Sequence, residues 1–289
     1  MTHWIGREMR KSDMKALTPL VEAAPRPASL FVKAALARGE DFKGWWYGVW
    51  RDGQTLEAVM AVDNHQGSIW VENEDAARGF GSELYAMQKR FGPSGQPQRH
   101  QLIGETRTMA IVWPLMKDVP GRKLLLDKEC DLLQAVVDDT PAPSSRVNVD
   151  LAQRADERIV YDFAAELRIE QMGIDPRKIG RDAHAQRVAD LIAYGRELIA
   201  KEKDNSRPYF VAELAPLSDT TVMLTDAWVP PHYRARGKLL AQAFWAAARH
   251  PSVQGKELVY LSSDPTMGGA AKAAGWKRIA GYRWTVTHG

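Results

Sequence analysis

The residues best placed to do chemistry lie between Trp228 and Leu240, in the run Trp-Val-Pro-Pro-His-Tyr-Arg-Ala-Arg-Gly-Lys-Leu-Leu. A strand-like stretch ends there, the chain turns through two prolines, and a helical pattern begins at Gly237. The first N–H groups of a helix have no acceptor within it and stand at the positive end of its dipole, so they attract a phosphate or diphosphate. Gly237 leaves the backbone open to close approach, while Arg234, Arg236 and Lys238 add positive charge. A plain strand–loop–helix connection with a solvated basic rim is the alternative on these residues alone.

Other reactive side chains are more scattered. Glu166 and Glu170 are four apart in a helical pattern and therefore share a face, suited either to an ammonium ligand or to solvent. Cys130 has no histidine near it in sequence and reads as buried filler, and His232 reads as an exposed loop histidine. The aromatic group Trp45, Trp46 and Trp50 fits hairpin packing better than a ligand box.

The elements that must position the loop follow from periodicity. Helices are predicted over Arg158–Met172 and Ala183–Lys201, the second with a stripe of Val188, Leu191, Ile192, Leu198 and Ile199. Strands are predicted over Tyr209–Leu214 and Thr221–Val229, joined by the polar turn Ala215–Thr220. Then come a helix over Gly237–Arg249, a strand over Leu258–Ser262, a helix over Thr266–Ala274, and a strand or hairpin over Trp276–Thr287. Upstream, the strand Trp45–Trp50, the Asp52-Gly53 turn and the strand Leu56–Val62 form a hairpin. It is followed by a helix over Asn73–Arg90, a strand over Gln101–Glu105 and a helix over Met109–Met116. Such alternation predicts an α/β (α+β) sandwich with a mixed sheet.

With 289 residues the chain is long enough for two domains, and the Pro-, Ser- and Asp-rich stretch Asp138–Asp150 marks the break. The expected division is 1–140, a linker at 141–150, and 151–289. A net charge of +3 from 39 basic and 36 acidic residues is too small for a dedicated nucleic-acid surface. The single cysteine excludes an internal disulfide, and no Cys/His spacing suggests a metal. The polar N-terminus and the lack of a long apolar run point to no export, no membrane span and cytoplasmic residence.

The loop resembles that of the GNAT acyltransferases, whose signature is Val-x-Pro-x-x-Arg/Gln-x-x-Gly-x-Gly/Ala. Here it stands as Val229, Pro231, Arg234 and Gly237, with Leu239 at the last small position. Glu166–Pro176, Gly195-Arg196, the strand at Phe210 and the N-terminal hairpin resemble bacterial tandem-GNAT proteins, in which a degenerate N-terminal domain precedes an active one. The resemblance implies two GNAT-like mixed-sheet domains in tandem, the C-terminal one carrying the acyl-CoA loop. No such loop is visible before Asp138.

By the same resemblance, Arg234, Ala235, Arg236, Gly237, Lys238 and Leu239 hold the diphosphate of acetyl-CoA or another acyl-CoA, and Ala227, Trp228 and Val229 form the edge for pantetheine. The Val229 amide polarises the thioester carbonyl, Asp226 or Glu213 handles the amine proton, and Glu166 and Glu170 bind the acceptor. The family's Asn and its acid Tyr fall on Asp264 and Ala271, so Asp264 is the cofactor contact and the acid is another group. Tyr282, Tyr260 and Ser263 are the candidates, or the thiolate leaves unaided. The implied activity is acyl transfer, of acetyl in the first place, to an amine of a small molecule or peptide in a ternary complex, and a homodimer is compatible with it. Two alternatives stay open: a transferase of tandem GNAT fold that uses aminoacyl-tRNA, and a non-catalytic CoA-binding module.

Overall fold

A computed structural model describes residues 3–24, 27–63, 66–80, 99–116, 123–137, 146–205 and 207–288. They form two compact units, one of Met1–Cys130 with Ala280–Gly289 and one of Asp131–Ile279.

The first unit contains β1 (Trp4–Glu8), α1 (Met14–Ala23), α2 (Leu30–Ala37), β2 (Trp45–Arg51), β3 (Thr55–Val62), β4 (Gln66–Val71), β5 (Arg99–Glu105) and α3 (Thr106–Met116). Asp52 and Gly53 both take positive φ, the geometry a tight Asp-Gly turn between β2 and β3 demands. Strand pairing is antiparallel from β1 to β4 and parallel from β4 to β5. Tyr47, Val49, Met60 and Phe80 bury themselves on one side, Leu17, Trp50 and Trp70 on the other. Each such side chain removed from water contributes roughly 2 kcal/mol.

The second unit repeats the order with β7 (Val147–Leu151), α4 (Glu157–Met172), α5 (Arg181–Ala193), β8 (Glu197–Glu202), β9 (Pro208–Pro216), β10 (Thr221–Trp228), α6 (Gly237–Ala247), β11 (Glu257–Ser262) and α7 (Pro265–Ala273). Its sheet runs β7-β8-β9-β10-β11, antiparallel until the parallel pair β10/β11. One face packs Ala152, Val160, Phe163, Leu167 and Val188 against Ile199, Val211 and Trp228, the other packs Leu240, Phe244 and Trp276 against Phe210 and Leu224.

Two long strands serve both units. The end of β6 (Lys123–Gln134) pairs with β11 through Asp131–Gln134, and the end of β12 (Lys277–His288) pairs with β5 through Tyr282–His288. Each sheet is thus finished by a strand from the other half of the sequence, so compactness does not follow a linear cut between 140 and 151. The expected linker also overlaps β7, which begins at Val147 and pairs with β8; residues 138–145 lie outside the described part.

One helix is corrected. The stretch Ala183–Lys201 is not continuous: α5 stops at Ala193, Gly195 takes φ 61°, and Glu197–Glu202 is a strand. The apolar Leu198 and Ile199 belong to that strand, where neighbours on both sides supply the hydrogen bonds a helix would otherwise make internally. Of the helix expected over Asn73–Arg90, only Glu74–Phe80 is described, as tight 3₁₀ turns.

Candidate functional site

The chain between β10 and α6 is shaped by its prolines. Pro230 ends the strand in an extended conformation, and Pro231 opens a single helical turn that closes at Arg234. Arg236 then precedes α6 with no side chain capping that helix. The amides of Leu239 and Leu240 bond to the Arg236 carbonyl, 2.9 and 3.2 Å away. Those of Gly237 and Lys238, one step ahead, meet no main-chain acceptor among the described residues. A Cβ added to Gly237 would find nothing within 4 Å. An exposed helix mouth with uncommitted donors is the arrangement that receives an anion.

The basic side chains are arranged differently from the expectation. Arg234 donates to both oxygens of Glu170, at 2.7 and 2.6 Å, and through Nε to the Val229 carbonyl at 3.1 Å. Arg236 pairs with Glu202 at 3.0 Å and lies over the Tyr233 ring. Both guanidiniums therefore brace the loop, and the positive character at its tip comes from the Gly237 and Lys238 amides and the exposed Lys238 ammonium. Leu239 turns its side chain toward the core while its carbonyl accepts from the Tyr209 hydroxyl, which leaves the outer surface to the glycine.

Beside the loop the sheet opens. The parallel pairing of β10 with β11 runs only from Thr221↔Glu257 to Leu224↔Tyr260, although β10 continues to Trp228 and β11 to Ser262. On its other edge β10 keeps its bonds to β9 but shifts register between Thr225 and Trp228, where Asp226 adopts φ 48°. Ala227 to Val229 thus present an edge to the gap between β10 and β11. The Trp228 side chain turns the other way, onto Phe163 at 4.6 Å between ring centres, with its indole N–H on Glu170.

The carboxylates gather on the face covered by α4 and α5. Asp226 meets Arg187 at 3.0 Å and Arg168 at 3.2 Å, and Glu213 meets the same Arg187 at 2.6 Å. Burial is the main cause that raises Glu213 above the usual carboxylate range. A third member, Glu197, stands directly across from Glu213 in the sheet and is 5% exposed. Burial, then the nearby charges of Glu213 and Asp226, push it up to about 8. The sequence reading missed Glu197 because the expected helix ran through it; Gly195 after the last helical turn was the signal for a C-terminal stop.

Several expected site residues have other employment. Tyr282 belongs to the first unit: it is buried, packs edge-on against Phe31, and donates its hydroxyl to the Pro27 carbonyl, and burial raises its pKa further. A phenol so committed is not a proton donor for a departing thiolate. Asp264 caps α7, accepting from the Thr266 and Met267 amides at 2.7 and 3.3 Å. Ala271, at the place of the family's acid, is fully buried. Glu166 is held by Arg177 at 2.8 Å and Glu170 by Arg234, so neither offers a free carboxylate to an ammonium. Both line a cavity of about 590 Å³ together with Asp162, Phe163, Trp228 and His232. Among the described residues no group of His, Cys, Asp and Glu is placed to hold a metal, and no helix is long and apolar enough to cross a membrane.

Solved structures share this architecture over the full chain. A GCN5-related N-acetyltransferase from Sphaerobacter thermophilus superposes with a TM-score of 0.60 at 16% identity, covering 99% of this chain and 95% of its own. A GNAT-family acetyltransferase from Colwellia psychrerythraea gives 0.53 at 12% identity, covering 98% of each chain. A tandem GNAT protein from the clavulanic acid biosynthesis pathway gives 0.51 at 12%, covering 99% of this chain and 98% of that one. The chain has the tandem GNAT fold. At these identities the likeness is one of fold alone; no protein-family model matches the chain and no curated protein matches it in sequence. In this GNAT fold the second unit carries the opened strand pair and the uncapped helix mouth.

Proposed function

We propose that the second unit is an acyl-CoA-dependent N-acyltransferase, moving an acyl group, acetyl in the first place, to an amine of a small molecule or peptide. One observation carries the reading: the uncommitted amides of Gly237 and Lys238 stand at the end of the same strand, β10, whose edge is unpaired beyond Leu224. A diphosphate fits the first feature and an extended amide-bearing chain fits the second, and acyl-CoA has both. Bound there, it supplies an activated thioester. The chain's own contribution is to hold the diphosphate on main-chain donors, to align the pantetheine along Ala227–Val229, and to place the Val229 amide where negative charge develops on the carbonyl oxygen. Glu213 and Asp226 are the carboxylates next to the register shift in β10, and Phe163 and Trp228 give the acceptor an apolar wall.

Calorimetric titration of CoA into the wild type and into Gly237→Glu tests the reading. The variant puts a carboxylate where the diphosphate would sit, and its affinity should fall by roughly 100-fold or more, as like charges at close range dictate. Equal affinity in both proteins contradicts it. Thiol release from acetyl-CoA across a panel of amines then tests transfer.

A second reading, a CoA-binding module without catalysis, is favoured by Ala271, which has no proton to give at the place of the family's acid, and by the Tyr282 hydroxyl, which is committed to the Pro27 carbonyl. CoA binding with no thiol release for any amine would select it. The aminoacyl-tRNA reading asks the loop arginines to face nucleic acid, and here they face Glu170 and Glu202.

A further inference from the structure

The cavity of about 590 Å³ beside the loop is lined unevenly. Its wall is apolar where α4 faces the sheet: Ile159 and Phe163 stand one turn apart on the helix, and Trp228 and Pro230 meet them from the end of β10. Its charges follow α4, because Arg158, Asp162, Glu166 and Glu170 recur at intervals of four residues and so share one side of that helix.

Most of those charges already have partners. Arg234 holds Glu170, Arg177 holds Glu166, and Arg177 also lies 3.9 Å from Asp162. Elsewhere in the unit Arg168, Arg187 and Arg236 hold carboxylates too. Arg158 and Arg207 differ. Both line the cavity, both are exposed, and neither guanidinium has a carboxylate within ion-pair distance among the described residues.

The two stand at the same end. Pro208, next to Arg207, pairs in the sheet with Lys201, and Lys201 reaches Asp156, just ahead of Arg158. The other end lies at Glu170 and Trp228, whose indole N–H joins them, beside Val229. Two unpartnered guanidiniums suit a carboxylate, which the planar fork of an arginine grips through parallel hydrogen bonds. The apolar wall suits a hydrocarbon or aromatic group attached to that carboxylate. Along α4 the rise from Arg158 to Phe163 is roughly 8 Å, a distance that an extended chain of two or three residues covers.

We propose that this cavity binds a short peptide by its free C-terminal carboxylate, with Arg158 and Arg207 as the anchoring pair and an apolar side chain against Phe163 and Trp228. Calling the peptide the acyl acceptor rests on the acyltransferase reading: anchored this way, its amino end runs along α4 toward Val229. The carboxylate anchor itself does not rest on it. An amine that carries no acid, such as a polyamine, leaves both arginines without a partner.

The test is calorimetric titration of alanylphenylalanine, and of its C-terminal amide, into the full chain, alone and with saturating CoA. The wild type should bind the acid roughly tenfold more tightly than the amide, since only the acid offers a charge to the arginines. Arg158→Gln and Arg207→Gln, both at exposed positions, should each lose most of that preference and leave CoA affinity unchanged. No binding of the peptide under either condition, equal affinity for acid and amide, or a preference kept in both variants would each overturn the proposal. A fall of CoA affinity in the variants would overturn it as well, by assigning the arginines to the phosphates of the nucleotide. The outcomes also separate the two readings: CoA binding without peptide binding removes the anchor alone, and peptide binding with neither CoA binding nor thiol release removes the acyl-donor reading alone.

Discussion

In each unit a glycine follows the fourth strand, and the two glycines do opposite things. A Cβ on Gly79, after β4, would lie 2.4 Å from Cγ1 of Val49 and 3.2 Å from Cβ of Trp4, so that glycine is there to let its segment pack. A Cβ on Gly237, after β10, would meet nothing within 4 Å, so that glycine leaves space outside the protein. Charge differs as well: Glu72, Glu74, Asp75 and Arg78, of mixed sign, precede Gly79, whereas Arg234, Arg236 and Lys238 surround Gly237. The same fold can spend its post-strand glycine on the core or leave it facing open space, and what a missing side chain would touch tells which.

The largest expected effect beyond the loss of CoA affinity in Gly237→Glu concerns the buried acid of the second unit. The folded pKa of Glu197 is raised above its unfolded value, so the folded state holds the extra proton between about 4.5 and about 8. Stability contributed this way is greatest at the acid end of that window and is lost as pH rises through it. Denaturant unfolding across the window should show the wild type losing on the order of a few kcal/mol relative to Glu197→Gln. Parallel curves would mean that Glu197 is already ionised and paired.

Next in size is the glycine contrast itself. Gly79→Ala forces Val49 and Trp4 to move and should cost about 1–3 kcal/mol, with CoA affinity unchanged. Gly237→Ala meets open space and should stay within about 0.5 kcal/mol of wild type. A reversal of that order in chemical denaturation would break the comparison. Tyr282→Phe removes a buried donor from the Pro27 carbonyl and should cost about 1 kcal/mol, with no change in thiol release from acetyl-CoA. A fall in release with intact stability would return Tyr282 to the reaction. The smallest effect is expected from Arg234→Lys, which loses the two-pronged hold on Glu170. This half-exposed pair should cost under about 1 kcal/mol in thermal unfolding, and less at high salt.

Much of the second unit is legible in the sequence because its elements are punctuated: prolines at 230 and 231 end β10, the glycine at 237 opens α6, and an apolar stripe through Leu240 and Phe244 buries one face of that helix. The loop's location follows from those residues. The direction of its arginines does not, since Glu170 and Glu202 are distant in sequence and only the fold brings them to Arg234 and Arg236. Glu197 was hidden by a continuous apolar pattern that fits a helix and a strand equally well until Gly195 is given weight. The sharing of β6 and β12 is likewise invisible along the chain, because any apolar alternating strand can pair with either neighbour.

The central claim is that main-chain amides at the mouth of α6 grip a diphosphate. Amide chemical shifts followed by NMR while CoA is added test it at the atoms concerned. The account predicts that Gly237 and Lys238 move furthest and together, with Ala227–Val229 following and Gly79 still. Movement centred on Gly79, or CoA binding that leaves Gly237 and Lys238 in place, would contradict it.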